Sequence, residues 1–336
     1  MIRDNLSKLV ISESEVKEFI TDLYRIILKR KPDAKGLEDK FNKLTSSKIT
    51  LGKIVEAFIE SPEGQARIFN RVWNKRTTTY QMDITTDVDI VQQLFSKTAQ
   101  YWRNAGSNVD EVYFSVLASP SMKKELAGEQ LEEFYSTGEE FIEFCVDNLN
   151  REGVKNLNEL SCIDFGCGVG RLSFCASKYF KNVFAVDFSK DHLKRLEENM
   201  VRLPSLHKDN ITSIYLESLS DLEQKLPQNM GFVYSYISLQ HNTPPVIVFL
   251  LKQLLNSLQN GGYALLHIPI HHPFYSFSDQ DYLASKNSGK TMEMHIVPRE
   301  NIRDICESLK VKIIDSFGYG GTKGVYSEVF FFKKES

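Results

Sequence analysis

The chain has 336 residues, 42% of them apolar and 25% charged, with a net charge of −3. That length asks for more than one domain, and the composition is that of an ordinary globular protein. A general nucleic-acid surface would carry a basic excess, so the acidic balance argues against a nucleic-acid partner.

In chain order, Met1-Ile2-Arg3-Asp4-Asn5 lacks the apolar core of a signal peptide. Residues 13–72 read as helical. Val16, Phe19, Ile20, Leu23, Tyr24 and Ile27 recur at three- and four-residue spacing, Pro32 and Gly36 punctuate a turn, and Leu51, Ile54, Val55 and Phe58 make a second stripe. Ser61-Pro62-Glu63 offers an N-cap and a first helical position, so a further helix is expected there. Residues 73–88, with Arg76-Thr77-Thr78-Thr79, read as a linker. Helical patterns return at about 89–104 and 128–150. From 160 the pattern alternates. Strands are expected at 160–165, 182–187, 211–216, 232–237 and 263–270, with helices at 171–179, 190–202 and 244–259 between them. A helix at 299–308 and strands at 310–318 and 326–333 end the chain. Such alternation predicts an α/β fold with a parallel sheet covered on both faces. The domain division expected is a helical docking module at 10–75, a helical lid and linker at 89–150, and an α/β domain at 151–336. The apolar stretches near 244–256 and 261–270 are too short or interrupted for a membrane span. Cys145, Cys162, Cys167, Cys175 and Cys306 are odd in number and fit no zinc spacing, so buried thiols in a reducing compartment, the cytoplasm, are expected, and no metal.

The chemistry concentrates at Asp164-Phe165-Gly166-Cys167-Gly168-Val169-Gly170, between the first strand of the alternating region and a helix. Glycines let a ligand approach the backbone closely, and open parallel sheets bind ligands at the carboxyl ends of their strands. A dinucleotide fingerprint fails in both frames, because Arg171 or Ser173 stands where the third glycine belongs, and no Gly-Lys-Ser/Thr follows for a P-loop. An acid two residues before the glycines suits a cationic ligand and would repel a pyrophosphate. S-adenosylmethionine, with an ammonium and a sulfonium and no phosphate, is such a ligand. Asp187 ends the second strand 21 residues after Gly166, where a carboxylate can accept from both ribose hydroxyls; alone it could equally be a helix N-cap, a role Ser189 can take.

On these residues, 160–270 resemble a class I S-adenosylmethionine-dependent methyltransferase. The resemblance implies a Rossmann-like seven-stranded sheet whose last strand runs antiparallel, here preceded by a small all-helical domain. It implies a cofactor set of Asp164, Phe165, Gly166, Cys167, Gly168, Gly170 and Arg171 at the turn and Asp187 and Phe188 after the second strand. Ser218 and Leu219 after the third strand would meet the adenine, and Ser235 and Ile237 end the fourth. One departure is Gly231, where many members carry an acid.

The segment Ser235 to Pro244 faces the reacting side by the sheet-end rule. His241 is the candidate base for an acceptor proton, and Gln240 the candidate for orienting the acceptor; His241 could instead cap the next helix or pack on the adenine. The Gln-His pair resembles a sequence common in bacterial methyltransferases of cell-surface glycan and small-molecule pathways. His267 alternates along its strand as a core residue would. His271, His272, Tyr275 and His295 are expected to line an acceptor pocket, with Tyr101 and Trp102 on a helical lid. The N-terminal stretch Leu23 to Leu37 meets L-Y-x-x-x-L-x-R-x-P-D-x-x-G-L at every fixed position. It resembles a small bacterial helical domain of uncharacterised function, distantly similar to phycobilisome linker repeats, and reads as a site for a protein partner; Arg30 could cap its first helix. The reading is a methyltransferase acting on a sugar or other small molecule in surface-glycan or secondary metabolism. The alternative is a non-catalytic binder of the same cofactor working through its N-terminal module.

Overall fold

The structure, a computed structural model, describes residues 12–28, 31–46, 50–61, 64, 80–203, 209–272, 274–320 and 325–335. The chain divides into two compact units, residues 1–79 with 317–322, and residues 80–316 with 323–336.

In the first unit α1 (Glu13–Ile26), α2 (Ala34–Thr45) and α3 (Leu51–Glu60) are the three described helices. Each begins at a side chain suited to the task. Ser12 and Glu15 form a reciprocal capping box, Asp33 accepts from Gly36 N–H, and Thr50 accepts from Lys53 N–H. The predicted stripes meet in one core of Ile20, Leu23, Tyr24, Leu28, Ile54 and Phe58, with Tyr24 edge-on to Phe58 at 4.9 Å. Gly36 is required by packing: a Cβ there would lie 2.4 Å from the Tyr24 hydroxyl. Ser61 Oγ accepts from Gly64 N–H at 3.0 Å, as an N-cap would. Pro62, Glu63 and the rest of the helix expected there, Arg30, and residues 73–79 of the expected linker lie outside the described residues.

The seven-stranded sheet, in the second unit except for residues 317–320 of its edge strand, has the order β4-β3-β2-β5-β6-β9-β8. Its strands are β2 (Ser161–Phe165), β3 (Asn182–Asp187), β4 (Ile211–Tyr215), β5 (Met230–Ser235), β6 (Leu258–His271), β8 (Val311–Gly320) and β9 (Tyr326–Lys334). β1 (Gln81–Met82) and β7 (Ser276–Phe277) form a separate short parallel pair that the sequence did not signal. β2 pairs parallel with β3 and with β5, β3 with β4, and β5 with β6, while β9 runs antiparallel to β6. This is the Rossmann-like seven-stranded arrangement, and the chain order reverses at β2, which puts the carboxyl ends of β2, β3 and β5 side by side. β5 is buried at every residue, as a strand covered on both faces must be.

The helices are α4 (Val88–Ser107), α5 (Glu129–Ser136), α6 (Glu139–Arg151), α7 (Arg171–Ala176), α8 (Lys190–Arg202), α9 (Asp221–Lys225), α10 (Pro244–Asn256), α11 (Asp279–Ala284) and α12 (Arg299–Leu309). The single helix expected over 128–150 breaks between α5 and α6. The break brings Gly138 so close to Arg171 that a Cβ would sit 2.5 Å from its carbonyl oxygen. The helix expected to reach 259 stops at Asn256, because β6 takes over at Leu258 and carries Gly261 at φ 74°. His267 is buried on β6, where its alternation placed it. Among the described residues no helix is long and apolar enough to cross a membrane.

One charged group is built into this packing. Glu328 of β9 is fully buried and accepts from Arg299 Nη2 at the start of α12; the same nitrogen donates to Ser316 Oγ at 2.9 Å. Burial pushes the Glu328 carboxyl up against the pull of Arg299. Removing the cation would strand the carboxylate, so Arg299→Ala is expected to lower unfolding free energy by about 3–5 kcal/mol in urea denaturation. A loss below about 1 kcal/mol, the range of exposed pairs, would show the pair to be solvated.

Candidate cofactor and acceptor site

The carboxyl ends of β2, β3 and β5 open onto a cavity of about 830 Å³ of empty space, its mouth included. Its floor is the turn after β2. Gly166, Gly168 and Gly170 take φ of 74°, 54° and 85°, a region that side chains resist. Space forbids side chains as well: a Cβ on Gly166 would lie 1.8 Å from Ser238 Oγ, and one on Gly168 would lie 2.7 Å from Val116 Cγ2. Gly166 and Cys167 both donate their N–H to Val186 O, at 2.8 and 3.2 Å, which clamps the turn to β3.

Two carboxylates flank this turn in different states. Asp187 accepts from Gly168 N–H through Oδ2 and from Ser189 N–H through Oδ1, each at 2.8 Å. Each oxygen keeps a second lone pair. Ser189 caps α8 by accepting from His192 N–H, so Asp187 is free of that duty. Asp164 is buried and accepts from Ser173 Oγ at 2.6 Å. Burial pushes its carboxyl up to about 7, against the pull of the Ser173 hydrogen bond and the Arg171 charge. The sequence reading treated both as fixed negative charges; for Asp164 the charge at neutral pH depends on what sits beside it.

At the end of β5, Ile237 has φ 56°, a conformation that a β-branched residue adopts only under constraint and that tends to mark functional sites. It lines the cavity with Tyr236, Ser238, His241 and Asn242. His241 is buried, its ring 4.8 Å from that of Trp102. Its Nδ1 lies 2.7 Å from the Glu293 carbonyl oxygen, which can only accept, so Nδ1 carries the proton. Nε2 is then the acceptor and takes a hydrogen bond from Gln240 Nε2 at 3.2 Å. Burial pushes the imidazole down to about 4, so at neutral pH it is uncharged.

The cavity gathers Asp164, Phe165, Gly166, Cys167, Gly168, Arg171, Asp187, Phe188, Ile237, His241 and Trp102 from the expected set. Four other expected cofactor residues stand outside its wall. Gly170 packs against Leu196, and Ser235 Oγ donates to Phe165 O to join β5 to β2. Ser218 Oγ pairs with Ser220 Oγ, and Leu219 N–H donates to Gln92 Oε1 at 3.0 Å. Tyr101 lines a different hollow, with Asn108 and Phe114. His271 bonds the Tyr80 hydroxyl and His272 lies tilted against Tyr275 at 5.8 Å between ring centroids, both away from the cavity. Tyr275 and His295 face a second hollow, considered below. His295 is held by its own backbone N–H on Gln240 O and by side-chain hydrogen bonds with Tyr275 and Glu293. Among the described residues no cluster of His, Cys, Asp or Glu could hold a metal ion.

The sequence reading missed Phe95 and Ala99 on α4, Ser115 and Val116 beyond it, and His192 on α8. These residues close the cavity from above, and Ser115 Oγ lies 2.8 Å from His192 Nε2. Ser238 belongs to the segment 235–244 that the sequence placed at this end of the sheet, and it lines the cavity.

Residues 162–262 match the family model described as a methyltransferase domain, and residues 8–68 match a domain of unknown function, DUF4214. No curated protein matches the chain. Among solved structures it is similar to magnesium protoporphyrin IX methyltransferase from Synechocystis PCC 6803 with bound SAH, at 17% identity. That match covers 74% of this chain and 100% of the other, with a TM-score of 0.46. A SAM-dependent methyltransferase from Leishmania major gives 13% identity, 75% and 88% coverage, and a TM-score of 0.48.

The turn's dependence on Gly166 is testable by a double-mutant cycle in urea. Gly166→Ala is expected to cost about 2–3 kcal/mol, and adding Ser238→Gly should restore about 1–2 kcal/mol of it by removing the clash. Strict additivity would mean that the two residues do not meet.

Proposed function

We propose that this chain, which carries a methyltransferase domain over residues 162–262, transfers a methyl group from S-adenosylmethionine to a sugar or other small-molecule acceptor. The observation that carries the cofactor reading is the pair of carboxylates, Asp164 and Asp187, set against a turn whose backbone approach admits no side chain. The second lone pairs of Asp187 suit ribose hydroxyls, and Phe188, edge-on to Phe95 at 4.5 Å, offers an apolar wall for the base. Asp164 suits the ammonium or sulfonium end, because a cation there would offset the burial that now favours its neutral form.

The bound cofactor supplies an already activated methyl, so the chain's own contribution is alignment and exclusion of water. Trp102, Tyr236 and His241 wall the reacting side. His241 is in the unprotonated form a base needs, and its tautomer is set by the Glu293 carbonyl; Gln240 must turn aside before Nε2 can take an acceptor proton. The Gln-His pair supports an acceptor of the glycan or small-molecule kind. The five cysteines are free and buried, which fits work in the reducing cytoplasm. The first unit reads as a docking module, with Ile26, Leu51 and Ile59 exposed on it.

Incubating the protein with methyl-labelled S-adenosylmethionine and neutral sugars, with label found on the sugar, is the direct test; label found only on peptide or lipid would end the acceptor reading. The cofactor reading makes a pH prediction with a definite sign. Asp164 must be ionised to hold a cation, and burial pushes its carboxyl up to about 7. Affinity for S-adenosylmethionine should therefore fall as pH drops below that value, by up to about tenfold per unit, and level off above it. Calorimetry from acidic to mildly alkaline pH should show this slope, and Asp164→Asn should bind more weakly and without it. A flat profile in the native protein would contradict the assignment.

A further inference from the structure

The second hollow lies beside the first, and one residue pair joins them. Glu293 offers its backbone carbonyl to His241 of the cofactor cavity, while its side chain lines the second hollow. Its Oε2 accepts from Tyr282 Oη at 2.6 Å and lies 3.2 Å from His295 Nε2, and Oε1 accepts from Gly289 N–H at 2.8 Å. Burial alone would push this carboxyl up, but those three hydrogen bonds outweigh it and hold it below the usual carboxylate range, hence ionised. Asp83 and Asp281 add two more carboxylates to the wall, and among the described residues no lysine or arginine lines it. The nearby ammonium of Lys97 is spent on the carbonyl oxygens of Tyr282, Leu283 and Ser285. The remaining surface is aromatic and hydroxylic, with Tyr275, Phe277 and Tyr282 surrounding His295 at 5.8–6.1 Å between ring centroids.

That mixture has a defined chemical preference. Carboxylates accept hydrogen bonds from hydroxyls and amines, aromatic rings cover the C–H faces of a saturated ring, and three negative groups repel a phosphate. We propose that this hollow binds the non-reacting part of the acceptor, and that the acceptor is a hydroxylated ring, neutral or amine-bearing and not phosphorylated. The proposal rests on the methyltransferase reading for its word "acceptor"; the binding preference itself does not. It narrows the substrate class, since sugars linked to nucleotides or phosphate are excluded by charge. It also gives the Glu293–His241 hydrogen bond a use. Glu293 thus serves both cavities: its side chain lines the second, and its carbonyl oxygen fixes the His241 tautomer in the first.

The test uses the full chain and three probes, glucosamine, glucose and glucose 1-phosphate, titrated by saturation-transfer NMR, with S-adenosylhomocysteine binding measured separately by calorimetry. Glucosamine and glucose are expected to bind, with glucose 1-phosphate at least about tenfold weaker. Glu293→Gln should weaken glucosamine about fivefold or more. Because that variant also removes a carboxylate that three donors hold, Asp281→Asn at the exposed start of α11 serves as the independent change. It should lower the preference for glucosamine over glucose and leave S-adenosylhomocysteine binding unaltered. Equal binding of the phosphate, no binding of any probe, or variants without effect would overturn the proposal. If S-adenosylhomocysteine still binds in that event, only the subsite falls; if it fails to bind while the sugars do, the methyltransferase reading falls instead.

Discussion

The carboxylate of Asp187 holds the site together. Two peptide N–H groups, of Gly168 and Ser189, converge on it from the turns that follow β2 and β3. Both turns leave the sheet at its carboxyl edge, where no neighbouring strand remains to accept their hydrogen bonds. One side chain satisfies both and ties the ends of two strands at a fixed spacing. The glycines are a consequence: a backbone drawn this tightly around a carboxylate bends through positive φ and has no room for Cβ atoms against Ser238 and Val116. A phosphate-binding turn would point its free N–H groups at the ligand; here Gly168 N–H is already turned onto an acid and those of Gly166 and Cys167 onto Val186 O. The cavity therefore offers acceptors where a dinucleotide site offers donors.

Above this floor the closure comes from residues upstream of the sheet. Trp102 lies over His241, and Val116 over Gly168. Arg103 donates to the carbonyl oxygens of Phe188 and Glu217, and Gln92 accepts from Leu219 N–H, so α4 is stitched to the loops after β3 and β4. The result buries Asp164 and His241, which pushes the first up and the second down, two shifts with one cause. A cationic ligand reverses the first by supplying a partner. The second leaves an imidazole that is ready to accept a proton but reluctant to keep it, which suits a reaction whose main demand is alignment.

What the sequence revealed and what it hid follow from how local each feature is. Asp164, the alternating glycines and Asp187 were legible because they sit at the ends of short apolar strands, where spacing along the chain fixes position in space. The order of strands and helices was legible for the same reason. Ser115, Val116 and His192 were not, because their role depends on a helix and a loop folding back over the sheet, and no periodicity marks that. Leu219 occupies an expected position, yet its N–H is met by Gln92, 127 residues earlier in sequence. His271 and His272 looked like pocket residues because histidines at a strand end often are. β6 carries them beyond the cavity, and Tyr80 takes the first. The helix break near Gly138 was hidden in a continuous amphipathic pattern, since only the approach of Arg171 requires it.

A cavity lined by two acids and an unadorned backbone should select a cationic nucleoside over a phosphate-bearing one. Parallel calorimetric titrations of the full chain with S-adenosylmethionine and with NAD at mildly alkaline pH put that claim to the question directly. The account predicts saturable, one-to-one heat with the first and none with the second. Tight uptake of NAD with no response to S-adenosylmethionine would contradict it.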